Sequence, residues 1–247
     1  MSDGRAQAII MAGGKGTRLL PYTALMPKPL MPIGDAPVLE WLLRQLREAG
    51  IEHVYLAVLH HRQLIQAYFG DGAAMGMHIR YAVEEKPLGT CGPVTEVLDE
   101  MTDDFLLLNA DLVTDLDFRK LLSQHKARKA EATVALQRHR VTQEFGVADL
   151  DENARVVRLR EKPSTEHLLV MGVYVLNKDG VRRHLTPNER LDMPDLLTGM
   201  LTADQRVNGY ESDCLWLDIG RPDDYARAQN LAESGAFGGR KIASATE

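Results

Sequence analysis

Residues 11–33 read MAGGKGTRLLPYTALMPKPLMPI, and their types and spacing suit one kind of chemistry, the handling of phosphates. Gly13, Gly14 and Gly16 surround Lys15 directly after the apolar run Ala8, Ile9, Ile10. Without Cβ atoms, such a turn lets backbone N–H groups approach an anion or a base closely. Arg18 adds a forked cation and Lys28, between Pro27 and Pro29, a point cation, so the stretch suits a polyanion with several phosphates. Two commoner phosphate loops are excluded. Lys15 is followed by Gly16 rather than Ser or Thr, which rules out a P-loop, and Leu19 breaks the dinucleotide fingerprint.

Two carboxylates close apolar runs. Asp111 follows the run 105–108, and Asp218 follows Leu215, Trp216 and Leu217. An unpaired charge at the end of a buried run is costly, so each needs a partner. That partner is either a shared Mg2+, a hard cation preferring carboxylate and phosphate oxygens, or the open amides of a following helix. Asp115-Leu116-Asp117 spells the DxD of metal-dependent glycosyltransferases, yet Asp117 directly precedes Phe118-Arg119-Lys120-Leu121 and is expected to cap a helix. Read alone, Arg160-Glu161-Lys162-Pro163 is a solvated charged loop, Gly146 a hairpin glycine and Gly172 a strand bulge. No Ser-His-Asp set or metal-spaced Cys/His cluster competes, and the pair His60-His61 is expected to face solvent.

These stretches in their order resemble the sugar-1-phosphate nucleotidylyltransferases, whose opening signature is a Gly-rich GTR loop, a spacer and a Pro-Lys. The likeness continues with EEKPLGTCG at 84–92, LNAD at 108–111, FGV at 145–147, REKP at 160–163, MGVYVL at 171–176 and LWLDIGRPDDY at 215–225. It covers roughly residues 6–230, and six further segments in the right order make accident a poor explanation. The resemblance implies an enzyme that joins an NTP to a sugar 1-phosphate, releasing pyrophosphate. It implies Arg18, Lys28 and Asp111 as catalytic residues, with Mg2+ on Asp111 and Asp218. Ala12, Gly13, Gly14, Glu84, Gly89 and Thr90 would bind the nucleotide, and Gly146, Glu161, Lys162 and Gly172 the sugar phosphate.

Within the family, EEKPLGT, LLNADLVTDLDF and LWLDIGRPDDY most resemble the mannose-1-phosphate guanylyltransferases. The compact length and the segment Leu191-Asp192-Met193-Pro194-Asp195 also resemble the manno-heptose-1-phosphate guanylyltransferases. Glu84 stands where thymidylyl relatives present a glutamine. A carboxylate only accepts, which suits the paired N1–H and N2–H2 donors of guanine and repels the acceptors of thymine. GTP is therefore the expected nucleotide. The alternatives are a thymidylyl- or uridylyltransferase acting on glucose 1-phosphate, or a non-catalytic nucleotide-sugar-binding subunit. Loss of a charged site residue would favour the last, and none is missing.

Composition sets the outer bounds. The chain of 247 residues is long enough for a substantial core, and 45% hydrophobic with 26% charged residues is the balance of a globular protein. A net charge of −6 without a long basic run gives nucleic-acid binding little support, and the cluster at 126–129 suits a helix C-terminus. No apolar stretch approaches the eighteen residues of a membrane span. Two cysteines, Cys91 and Cys214, with no secretory signal point to reduced thiols and a cytoplasmic location. No nucleic-acid or membrane partner is expected, and self-association into a homo-oligomer is left open.

The elements that must position these residues follow from periodicity. Strands are expected at 6–11, 53–59, 78–83, 105–109, 131–138, 168–176 and 214–218, and helices at 37–49, 61–69, 93–101, 117–127, 193–202 and 222–232. Alternation of this kind argues α/β, a three-layer Rossmann-like fold with a mostly parallel central sheet. Two strand-like runs within 144–160 flank a turn cluster at 149–153 and suggest an inserted hairpin. Residues 1–232 then form one catalytic domain, and 233–247, rich in Gly, Ser and Ala, a flexible tail. Neither internal repeats nor the hexapeptide repeats that many family members append are visible. Because ligands gather at the carboxyl ends of parallel strands, the glycine loop, Asn109–Asp111 and Asp218 are expected to meet there.

Overall fold

The computed structural model describes residues 6–235. In chain order the strands are β1 (Gln7–Met11), β2 (Pro32–Ile33), β3 (Ala36–Pro37), β4 (His53–Val58), β5 (His78–Val83), β6 (Asp104–Asn109), β7 (Leu112–Thr114), β8 (Ala132–Thr142), β9 (Val147–Leu150), β10 (Val156–Arg160), β11 (Ser164–Asn177), β12 (Val207–Glu211) and β13 (Trp216–Asp218). The helices are α1 (Val38–Glu48), α2 (Arg62–Phe69), α3 (Phe118–Arg128), α4 (Lys178–Arg182), α5 (Met193–Thr202) and α6 (Pro222–Glu233).

Seven strands form one sheet in the order β12-β8-β11-β6-β1-β4-β5. β1 pairs in parallel with β4 and β6, β4 with β5, and β8 with β12, while β11 runs antiparallel to both of its neighbours. The central strands are apolar on both faces, as strands covered by helices on either side must be. Ala8, Ile10, Leu56, Leu106 and Leu108 face a core shared with α1, α2 and α3. Ile9, Tyr55, Phe105 and Leu107 face the opposite one, filled by Met193, Leu196 and Met200 of α5 and by Val94 and Leu98. This alternation gives the three layers.

A third, smaller cluster joins Leu19, Met31, Ile33 and Val38 to Val113, Leu217, Ile219 and Ala228. It clamps the segment after the glycine loop onto β7, β13 and α6, bringing Lys28 and Asp218 together across 190 residues.

Beyond the sheet, β8 and β11 continue as a two-stranded arm, tied by Arg138 to Glu166 (3.1 Å) and Arg140 to Glu166 (2.7 Å). The arm carries the antiparallel β9–β10 pair, the expected hairpin. Register on the β8 side shifts between Val170 and Tyr174, where Gly172 adopts φ +73°. A glycine permits that conformation without strain, and the register shift marks a bulge where the arm leaves the sheet.

Several elements differ from the expectation or add to it. The segment 93–101 forms two 3-10 turns, Gly92–Glu96 and Leu98–Glu100, rather than an α-helix. Val94, Thr95 and Val97 crowd a short stretch with β-branched side chains, which lowers helix propensity. The strand expected at 214–218 forms as β13, outside the seven-stranded sheet and paired with β7. Strand β12 was not expected, since Asn208 and Gly209 weaken its sequence signal; its parallel pairing with β8 supplies what propensity does not. Of the tail expected at 233–247, Glu233 closes α6 and residues 236–247 lie outside the described residues.

Candidate active site

The carboxyl ends of β1, β4, β5 and β6 lie along one edge, with Met11 opposite both Ala57 and Asn109. The chain leaves β1 at Ala12, whose N–H is bonded to Ala57 O (2.8 Å), so Ala12 fixes the start of the glycine turn. Gly13 then passes over Glu84, and a Cβ at Gly13 would stand 2.8 Å from Glu84 Oε1. The Cβ direction of Gly14 is open.

Glu84 directly follows β5 and is only 5% exposed. Its N–H donates to Val58 O, and its Oε2 accepts from Leu88 N–H (3.0 Å), leaving Oε1 towards the glycine turn. Burial raises its pKa above the ordinary carboxylate value, against the opposing pull of the Leu88 amide.

Four charged groups expected from sequence do meet. Lys28, 8% exposed, places Nζ in contact with Asp111 Oδ2 and 3.5 Å from Asp218 Oδ1. A Cβ at Gly220 would stand 2.6 Å from Lys28 Nζ, 2.9 Å from Asp218 Oδ1 and 3.2 Å from an Arg18 guanidinium nitrogen. Gly220 therefore lets Arg18, Lys28 and Asp218 converge, and its N–H donates to Asp218 Oδ1 (2.8 Å). The backbone closes the cluster from below through Ile219 N–H to Asp111 O (3.1 Å).

Asp111 Oδ1 is buried and has no hydrogen-bond partner. Leaving a buried carboxylate oxygen without a partner costs free energy, so a ligand there would satisfy it. Among the described residues no group of three or more His, Cys, Asp or Glu is placed to hold a metal. Mg2+ takes carboxylate and phosphate oxygens, and an all-protein cage is not required. Asp111 and Asp218 fit such an ion.

The remaining expected residues divide. Gly172 lies against Asn109, its missing Cβ 2.5 Å from Asn109 Nδ2, so the bulge seats the side chain two residues before Asp111. On the arm, Gly146 and Glu161 face each other, a Cβ at Gly146 falling 3.2 Å from Glu161 Oε2. Lys162 is exposed with φ +41°. Thr90 has its polar groups engaged: its N–H donates to Asp192 Oδ1 (3.0 Å) and its hydroxyl accepts from Met193 N–H (2.8 Å). The DxD-like pair is structural. Asp117 caps α3 through Lys120 N–H (2.9 Å), and Asp115 Oδ1 accepts from Leu215 N–H (2.6 Å). His61 is exposed, whereas His60 is half-buried, its protonation disfavoured first by burial and then by Lys15 and His61.

Gly220 escaped the sequence reading, which places Asn109 at the strand end beside Asp111 without a role of its own. Their signals were present, Asn109 within LNAD and Gly220 directly after Asp218-Ile219.

Against known proteins, the sequence model of the family described as Nucleotidyl transferase matches residues 7–235. The chain belongs to that family. Among curated relatives, this nucleotidyltransferase is 34% identical to the mannose-1-phosphate guanylyltransferase of Mycobacterium tuberculosis, over 98% of this chain and 70% of that one. It is 31% identical to the D-glycero-alpha-D-manno-heptose 1-phosphate guanylyltransferase of Aneurinibacillus thermoaerophilus, over 90% of this chain and 96% of the relative. Among solved structures, a proposed glucose-1-phosphate thymidylyltransferase of Bacillus anthracis superposes with a TM-score of 0.74 at 25% identity, covering 92% of this chain and 95% of that one. The carboxyl-edge cluster is thus the candidate catalytic centre of a nucleotidyltransferase.

Proposed function

We propose that the chain transfers a guanylyl group from GTP to mannose 1-phosphate or a manno-heptose 1-phosphate, releasing pyrophosphate. The observation that carries this is the convergence of Arg18, Lys28, Asp111 and Asp218 beside the glycine turn, with Asp111 Oδ1 buried and unpartnered. Relatives at 31–34% identity named as guanylyltransferases for these two sugar phosphates support the choice of substrates.

An oxygen of the sugar phosphate, already ionised at neutral pH, attacks the α-phosphorus. A new P–O bond forms, the bond to the β-phosphate oxygen breaks, and pyrophosphate leaves with the electron pair. No protein nucleophile or general base is needed, so alignment and charge neutralisation remain. Arg18 holds the departing β- and γ-phosphates, Lys28 the α-phosphate, and Lys162 the attacking phosphate, with Gly146, Glu161 and Gly172 against the sugar. Gly13, Gly14 and Gly89 offer backbone groups to the nucleotide, and Glu84 Oε1 the acceptor facing the base. Mg2+ on Asp111 and Asp218 would neutralise phosphate charge as the transition state develops.

A second reading, uridylyl or thymidylyl transfer to glucose 1-phosphate, is favoured by the Bacillus anthracis fold neighbour and by 30% identity to a uridylyltransferase of Synechocystis. A pyrophosphate-release assay crossing four NTPs with several sugar 1-phosphates separates the readings. GTP with a manno-configured sugar phosphate should lead by at least about tenfold in kcat/KM, and UTP or dTTP leading would overturn the guanylyl assignment. Asp111→Asn and Asp218→Asn should each lower turnover at least about 100-fold while leaving the folded state intact. Full turnover in either variant, or in excess EDTA, would remove the metal assignment.

A further inference from the structure

We infer that Asp192 is a positioning residue for the nucleotide, acting through the loop 84–92; the inference rests on the reading above that this loop lines the nucleotide site. One end of the loop is fixed at Glu84, which bonds to β4 through Val58 O and presses Oε1 against Gly13. The other end has no strand to hold it. It is tied instead to residues 191–193, a hundred positions later.

Six hydrogen bonds make this tie, the longest from the Thr90 hydroxyl to Asp192 Oδ1 (3.5 Å). Leu191 N–H donates to Leu88 O (2.9 Å), while Leu191 O accepts from Cys91 N–H (2.9 Å) and Gly92 N–H (3.1 Å). Thr90 N–H donates to Asp192 Oδ1 (3.0 Å), and Met193 N–H donates to the Thr90 hydroxyl (2.8 Å). Met193 opens α5 and Asp192 is its N-cap, yet the Asp192 side chain makes no capping bond to its own helix. Thr90 takes the capping role from the other chain segment, and Asp192 is released to hold Thr90.

Asp192 Oδ1 also stands 2.7 Å from where a Cβ of Gly89 would lie. Its other oxygen accepts from Arg190 (2.9 Å), an exposed side chain whose pairing adds little energy but fixes the carboxylate plane. A carboxylate spent on a backbone amide of the loop, rather than on its own helix, sets the height of Gly89 and Thr90 relative to Glu84 and the glycine turn. Small displacements of a binding loop cost affinity steeply, because the ligand must then reorder it.

The test is Asp192→Ala beside Asp192→Asn, since asparagine keeps an oxygen for the Thr90 amide. Asp192→Ala should raise the KM for GTP, and its Kd measured by calorimetry without sugar phosphate, by about five- to tenfold, while the sugar-phosphate KM stays within about twofold. Asp192→Asn should restore both GTP constants to within about twofold of wild type. A residue needed only for folding would lower the active fraction and leave KM alone, so unchanged GTP constants, or equal shifts for both substrates, overturn the inference. Should Asp192→Ala not fold, amide exchange of the wild type decides. Thr90 N–H should exchange at least about tenfold more slowly than Lys86 N–H in the same loop, and equal rates overturn the inference. A wild type that binds GTP but turns nothing over would fail the proposed function and leave the positioning role standing.

Discussion

The most informative single residue is Glu84, because burial and hydrogen bonding pull on it in opposite senses. At 5% exposure its charge is poorly solvated, and burial raises its pKa despite the Leu88 amide. A carboxyl group whose folded pKa is raised binds its proton more tightly in the folded than in the unfolded chain. Its stabilising contribution is present below the unfolded value near the ordinary 4.5 and is lost as pH rises through the higher folded value. At neutral pH the ionised group is therefore a liability in the free protein. Glu84→Gln should raise Tm at pH 7, and the gain should shrink towards pH 4; equal gains at both values would refute the assignment of the shift to Glu84. The same substitution should narrow the preference for GTP, since an amide donates where guanine also donates. Competing NTPs with one sugar phosphate measure it.

At the scale of elements, the loop 88–92 and the start of α5 depend on each other. Gly89 has φ +85°, and a Cβ there would stand 2.5 Å from Leu191 O, a backbone atom that cannot swing away. Gly89→Ala therefore meets both left-handed strain and overpacking and should cost about 2–4 kcal/mol in urea unfolding. A loss below about 0.5 kcal/mol would mean that the loop shifts freely, and the tie to 191–193 would lose its importance. Packing against Leu191 and Asp192 requires glycine at this position in addition to whatever its backbone offers the nucleotide. Helical and strand periodicity placed α1, α3, α5 and α6 within a residue or two, because each buries one regular stripe against the sheet. It missed β12, whose weak local signal is overridden by pairing with β8, and it read 93–101 as an α-helix although β-branched Val94, Thr95 and Val97 lower helix propensity there.

At the scale of the whole molecule, the proposed division of labour follows the architecture. Arg18 belongs to the sheet body beside Lys28 and Gly220, and Lys162 to the arm that β8 and β11 carry beyond the sheet. Lys162→Ala should raise the sugar-phosphate KM far more than the GTP KM, and Arg18→Ala should raise the GTP KM or lower kcat. Steady-state kinetics with each substrate varied in turn decides; parallel shifts in both variants would show that arm and body do not serve separate substrates.

By itself the sequence determined the α/β class, the three layers, the inserted hairpin and the identity of the charged residues now seen together. These rest on local patterning and on residue chemistry, which a linear chain displays directly. Only the tertiary structure decided that Lys28 touches Asp111 across 83 residues, that Gly220 clears the space for it, and that Asp111 keeps one oxygen unpartnered. It also decided that Thr90 caps a helix a hundred residues away and that Asp192 holds Thr90 in return. Such contacts join residues far apart in sequence with no shared period, so they leave no local trace. They arise from packing two buried faces and closing one sheet edge, which no short window of residues contains.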